Sequence, residues 1–451
     1  MTDILREAIN ACFFQTGLED DDPRRVDLYA AGVRGTDPDP IKRFQTVIQT
    51  ADNPTQQLFS GFIGSGKSTE LKRLAANLKR EGYTAVLADS EEYLNLNVPP
   101  QVNDLLAVVA TSVDKLIRET CQGKIPALFK SYWERFRNFL GSEVEIEGFS
   151  LKVPEAGELK LKLKQDVTFR TKIFNHLEQS GRLSDLSQEC RSFLDEAVAV
   201  ESQACADSRG IVIIVDSFEK VRGDLLHAEE VRQAVETLFI RDWKWLCLPF
   251  HVIYTVPPWL TFYEFGAAAE FGRVCILPMC RLMDQDSGKS VPEGFAAMRR
   301  IIEKRMDLDK VFADTKPLEQ IIEASGGYPR DFLRMMREIL LSTIMEGVCA
   351  PIPSADLSRI IGEVIRGQIE VYSKPIYDED LPLLVEVAQT HDVPRKERSL
   401  VPRIAELFEY HFVLGYRNGQ EWYDLHPLVR RSPKVQAALK KAHGDKPKRR
   451  G

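Results

Sequence analysis

The sequence predicts an α/β fold: a parallel, doubly wound sheet followed by an α-helical lid and a winged-helix domain. Three observations predict it. The stretch Gly61-Phe62-Ile63-Gly64-Ser65-Gly66-Lys67-Ser68 fits Gly-x-x-x-x-Gly-Lys-[Ser/Thr]. It follows the apolar run Leu58-Phe59-Ser60 and opens a helical pattern over 69–79, with Leu71, Leu74 and Leu78 on one face. The run Ile211-Val212-Ile213-Ile214-Val215 is unbroken and rich in β-branched residues, as suits a strand buried on both faces of a parallel sheet, and it ends in Asp216. After Met283 the strand-like runs give way to amphipathic helices until Asn418-Gly419, a dipeptide that marks a hairpin.

The first stretch has the chemistry of a phosphate-binding loop, the P-loop of nucleoside triphosphatases. Gly61, Gly64 and Gly66 let the backbone adopt positive φ and approach an anion closely, so that successive N–H groups, including that of Ser65, face phosphate oxygens. Lys67 reaches the β and γ phosphates, and the Ser68 hydroxyl is suited to hold Mg²⁺. Thr69 begins a helix whose positive N-terminal end faces the same anion. ATP or ADP with Mg²⁺ is the expected ligand.

Composition narrows the class. A chain of 451 residues, 44% hydrophobic and 28% charged, has room for two or three ordinary globular domains. Lys and Arg number 60 against 67 Asp and Glu, and the net charge of −7 gives no global reason to expect nucleic-acid binding. Eight cysteines without a CxxC pair, most of them in apolar segments, are expected as free thiols in a reducing compartment. The N-terminus lacks the basic-then-apolar order of a signal peptide, and no apolar run reaches the roughly 18 residues of a membrane span. A cytoplasmic location away from membranes is the expectation.

Residues 1–45 read as a leader with a polar, turn-rich centre, in which 33–37 either line a base pocket or form a surface turn. The P-loop domain follows over 46–282. Its second strand is Tyr83-Thr84-Ala85-Val86-Leu87-Ala88-Asp89, and 102–140 reads as one or two helices. An insertion over 141–206 changes period: apolar residues alternate in 143–147 and 159–164 about a turn at 154–157, which predicts a β-hairpin, and a helical stripe follows over 171–206. Lys160, Lys162 and Lys164 opposite acids read as cross-strand charge pairing or as a partner-binding face.

Asp216 stands at the carboxyl end of its strand, where ligands bind in open α/β sheets, and reads as the second Mg²⁺ residue. Glu219 is placed to orient or deprotonate the attacking water. Strands at 251–255 and 273–277 flank a helical pattern at 259–269, and Thr255 ends the first of them as a γ-phosphate sensor. The lid spans 283–370, with helices at 294–306, 317–324, 329–341 and 355–369. Pro329 suits the first turn of its helix and sets Arg330 in that turn, directed back toward the phosphates. Over 371–433, helices at 381–389 and 399–410 precede strands at 412–416 and 421–425, a winged helix. The basic tail 434–451 is expected to be disordered.

Over roughly residues 30–430 the chain resembles the STAND class of signalling ATPases, relatives of the AAA+ and Orc/Cdc6-type ATPases. Asp216-Ser217-Phe218-Glu219-Lys220 is similar to the class pattern of Asp, a small residue, an apolar residue and acids, with Lys220 departing from it. Gly327-Tyr328-Pro329 matches the Gly-x-Pro signature after the lid, and Ser325 to Arg330 resembles the initiator-type turn whose Arg is sensor 2. Leu425-His426-Pro427 is similar to the Met-His-Asp motif, with Pro427 in place of the Asp. The resemblance implies that His426 touches the β phosphate of ADP; its alternative is a core histidine.

What the resemblance implies is a slowly hydrolysing switch ATPase that assembles with itself, a separate effector protein, or both, in a bacterial anti-phage or regulatory system. A neighbour's arginine, with Arg281 and Arg305 as candidates, would complete the site. The alternative is a DNA-binding ATPase of the initiator or transposition-regulator kind, supported by Arg395, Lys396, Arg398, Arg430 and Arg431.

Overall fold

In a computed structural model of the chain, residues 2–30, 32–35, 39–120, 145–146, 149–150, 183–205, 207–223, 227–262, 271, 274–394 and 398–444 are described. The first seven strands are β1 (Gln56–Gly61), β2 (Thr84–Asp89), β3 (Glu145–Ile146), β4 (Phe149–Ser150), β5 (Ile211–Asp216), β6 (His251–Val256) and β7 (Cys275–Leu277). Five of them form one sheet in the order β2-β5-β6-β1-β7. The pairings β1–β6, β2–β5 and β5–β6 are parallel, in a register that sets Asp216 opposite Asp89 and Thr255 opposite Phe59. All six residues of β5 are buried, which accounts for its continuous apolar sequence. This is the P-loop fold: the phosphate loop leaves the carboxyl end of β1 and enters helix Lys67–Arg80.

The chain divides into two compact units, one made of Met1–Asp39, Gly61–Thr69 and Leu277–Gly451, the other of Pro40–Ser60 and Glu70–Ile276. The second unit holds most of the sheet. Phe44 meets Phe59 edge to face at 5.3 Å, and Phe239 sits between Phe218 and Tyr254. Helix Val102–Thr120 packs on helix Leu183–Ala204. The first unit joins the leader, the phosphate loop, and the lid helices Pro292–Glu303, Leu318–Ser325, Pro329–Met345 and Ser354–Ser373 to a C-terminal module. In that module helices Leu381–Thr390 and Val401–Glu409 precede a hairpin of β8 (Val413–Asn418) and β9 (Gln420–Leu425), the succession of a winged helix. Gly419 turns the hairpin at φ 75°.

Three expectations change. Glu145–Ile146 pairs antiparallel with Phe149–Ser150; the expected partner 159–164 lies outside the described residues, as do 121–144 and 171–182. The pattern at 259–269 forms a 3₁₀ turn, Pro258–Phe262, in its described part. Most of the basic tail is folded as helix Pro433–Gly444, because Val435 is fully buried and Lys434 and Gln436 donate to the carbonyls of Ile376 and Arg430.

Candidate functional site

Gly61, Gly64 and Gly66 take φ of 153°, 87° and 103°, so at the latter two positions the fold requires glycine. Ser65 N–H donates to Phe62 O at 3.1 Å, closing the turn. Lys67 is buried, and its ammonium donates to Gly61 O at 2.6 Å and Phe62 O at 2.9 Å. Ser68 and Thr69 follow in the first turn of the loop helix.

Two more cations converge on the loop in the same unit. Arg34 is buried, and its Nη2 donates to Ser65 O at 2.5 Å. Arg330 lies in the first turn of helix Pro329–Met345, against Gly64: a Cβ there would meet Arg330 Nε at 2.5 Å and its Cβ and Cδ at 2.7 Å. Ser65 Oγ and Arg330 Nε are buried without hydrogen-bond partners among the described residues. A loop of positive-φ glycines, two orphaned buried polar atoms and three cationic side chains fit an anionic polyphosphate.

The lid and the C-terminal module also hold the loop. Phe62 meets Phe408 edge to face at 5.3 Å, and Gly415 leaves room for the Phe62 ring, which a Cβ there would meet at 3.0 Å. Ile63 O accepts from Tyr328 Oη at 2.6 Å and from His411 Nε2 at 3.2 Å. The backbone of Met279, Cys280 and Arg281 donates to Gly415 O, Gly327 O and Val33 O, stitching hairpin, lid turn and leader together.

His426 lies in this unit, fully buried. Its Nδ1 accepts from Leu428 N–H at 3.2 Å and caps the short helix Pro427–Arg430, so its proton resides on Nε2. Nε2 stands 3.1 Å from Asp331 Oδ2, within ion-pair range although the N–H is not aimed along that line. Tyr372 donates to the same oxygen at 2.6 Å and stacks on the imidazole at 4.6 Å. Burial alone would raise the Asp331 pKa; the adjacent His426 imidazole, with Arg334 and Tyr372, reverses this and holds it at about 2. The imidazole is thus a buried link between lid and module. Of the candidate fingers, Arg305 is tied within its own chain, donating to Ile301 O at 2.7 Å and Arg24 O at 3.2 Å.

The acids belong to the sheet unit. Asp216 ends β5 and is buried; its Oδ1 accepts from Ser217 N–H at 2.7 Å, and Ser217 takes a left-handed φ of 65°. That residue leads into the 3₁₀ turn Phe218–Lys220, which carries buried Glu219. Thr255, fully buried and one residue short of the end of β6, accepts from Phe218 N–H at 3.0 Å, so its hydroxyl anchors the Glu219 turn. Among the described residues no group of three or more His, Cys, Asp or Glu is placed to hold a metal ion.

Sequence reasoning missed Arg34, Tyr328, His411 and Gly17. Leu18 N–H donates to Thr69 Oγ1 at 3.0 Å, and a Cβ on Gly17 would meet Ser68 Cβ at 2.8 Å and Thr69 N at 3.0 Å. Signals existed for Arg34, in the segment 33–37, and for Tyr328, in the stretch Gly327-Tyr328-Pro329.

No family model matches the chain. Among curated proteins it is similar to the signal recognition particle receptor FtsY of Haloferax volcanii, 24% identical over 171 residues that cover 37% of this chain and 36% of that protein. The chain therefore spans about a third of the length of that relative. Among solved structures it is similar to the ORC2 protein of Aeropyrum pernix in its ADPNP-ADP complexes, at 10% identity and a TM-score of 0.44 over 98% of this chain and 99% of that one. A Walker-type ATPase of Pyrococcus abyssi follows at 12% identity and 0.40, over 95% and 99%. The ORC1 protein of Aeropyrum pernix in complex with DNA gives 14% and 0.36, over 94% and 95%. At such values the functional reading rests on the geometry of the site.

Proposed function

We propose that the chain is a Mg²⁺-dependent ATPase of regulatory kind, in which the phosphate state of the nucleotide is passed to the lid and the C-terminal module. One observation carries this reading: within a single unit, consecutive loop residues are held by the module at Phe62, by module and lid together at Ile63, and by the lid arginine at Gly64. A loop serving metabolic chemistry alone has no need of that grip. Lys67, Arg330 and the loop N–H groups would bind the phosphates, Ser68 and Asp216 would hold Mg²⁺, and Glu219 would take the proton of the attacking water. The ion, when bound, neutralises charge on the phosphates.

Isothermal titration and phosphate release test it. Lys67→Ala is expected to abolish ATP binding, and Glu219→Gln to keep affinity while cutting turnover about a hundredfold. Retained micromolar affinity in the Lys67 variant would overturn the reading; an unchanged rate in the Glu219 variant would move the base role elsewhere.

A second reading, a DNA-handling ATPase of initiator type, is favoured by the helix–helix–hairpin succession of the module. Three of its arginines are engaged, however, Arg403 with Asp380 and Glu406, Arg430 with Asp424, and Arg431 with Glu323, while Arg395 and Lys396 lie outside the described residues. Steeply salt-dependent duplex binding that survives removal of residues 445–451 would establish it.

A further inference from the structure

We infer that His411 and Tyr328 are positioning residues of the phosphate loop, acting through the Ile63 carbonyl to aim the Gly64 N–H at a bound phosphate. This rests on the ATPase reading above. In a planar trans peptide the carbonyl and the following N–H point in opposite directions, so whatever fixes Ile63 C=O also fixes Gly64 N–H. Two donors fix it, Tyr328 Oη at 2.6 Å and His411 Nε2 at 3.2 Å, and because a carbonyl only accepts, that imidazole nitrogen carries its proton. Their rings stack at 5.1 Å and 17°, which holds both donors at one oxygen. Gly64 N–H consequently points away from lid and module, and it has no backbone acceptor among the described residues.

The backbone of His411 supplies an independent observation. It takes φ 58°, a left-handed conformation that glycine or asparagine adopts more readily, in the turn after helix Val401–Glu409. Because glycine takes this φ without strain, a loss of affinity on removing the side chain would report its donation to Ile63. Tyr328, for its part, is the residue before Pro329 and stands at the N-cap position of the helix that carries Arg330, so one turn delivers both the carbonyl clamp and the arginine on Gly64.

The test compares Mg²⁺-ATP affinity and thermal midpoint for the full chain and four variants. Tyr328→Phe removes one oxygen; His411→Gly removes the imidazole and relieves the backbone; His411→Gln restores an N–H donor; the fourth combines the first two. The expected result is affinity about tenfold weaker in each of the first two and weaker still in the double variant, with partial recovery in His411→Gln. The midpoint of His411→Gly should match or exceed that of the parent, a combination that a purely structural role does not give. Unchanged affinity in the double variant, or tighter binding, would overturn the inference. Failure of the parent chain to bind nucleotide would instead overturn the ATPase reading.

Discussion

Asp331 shows what a buried charge does in this fold. Its carboxylate keeps a pKa of about 2, below the ordinary 3.8, against the cost of burial. A depressed carboxylate pKa stabilises the folded state fully above the unfolded value, and that stabilisation is lost as pH falls from about 4 toward 2. Asp331→Asn is therefore expected to lower stability by about 2 kcal/mol at pH 7, with the difference from the parent closing near pH 2, as chemical denaturation at the two pH values would show. His426 was legible in the sequence as a residue of interest. Its partners were not, because Asp331 and Tyr372 are far from it in the chain and no local pattern links them.

At the scale of elements, strands and helices were legible wherever burial imposes a period. Strand β5 appears over the residues its apolar run marks, and the lid helices fall within a few residues of their predicted bounds. Helix Pro433–Gly444 was not legible: its composition is that of a solvated tail, and its apolar anchor is small, the buried Val435 with the half-buried Leu439 one turn on. Pro433 begins it, where a missing N–H costs nothing. Because the anchor is so small, Val435→Ala should cost about 2 kcal/mol locally, seen as faster amide exchange across 433–444 with little change in the lid. Uniform acceleration across the first unit would show instead that the helix supports the whole module.

At the scale of the molecule, sequence punctuation and packing disagree about where the phosphate loop belongs. Its motif is continuous with the sheet, so reading along the chain assigns it there; its side chains and backbone place it in the unit of lid and module. The contacts responsible, at Phe62, Ile63 and Gly64, involve residues hundreds of positions away, and neither periodicity nor composition registers such pairs. Because loop and module share a unit, saturating Mg²⁺-ATP should slow amide exchange in 401–425 as well as in 61–69, by the linkage that stabilises any state a ligand prefers. Protection confined to 61–69 would mean that the module does not sense the nucleotide.

The first unit is assembled from three separated pieces of chain, and the second lies almost wholly between them in sequence. On the ribosome this sets an order of completion. The segment with Gly17 and Arg34 is made before the lid and module with which it shares a unit, and the sheet unit between them can form meanwhile. The phosphate loop thus acquires Arg330, Tyr328 and His411 only after the sheet unit has been made. A nascent chain would complete the surroundings of its phosphate loop only once residues 328–411 have been made.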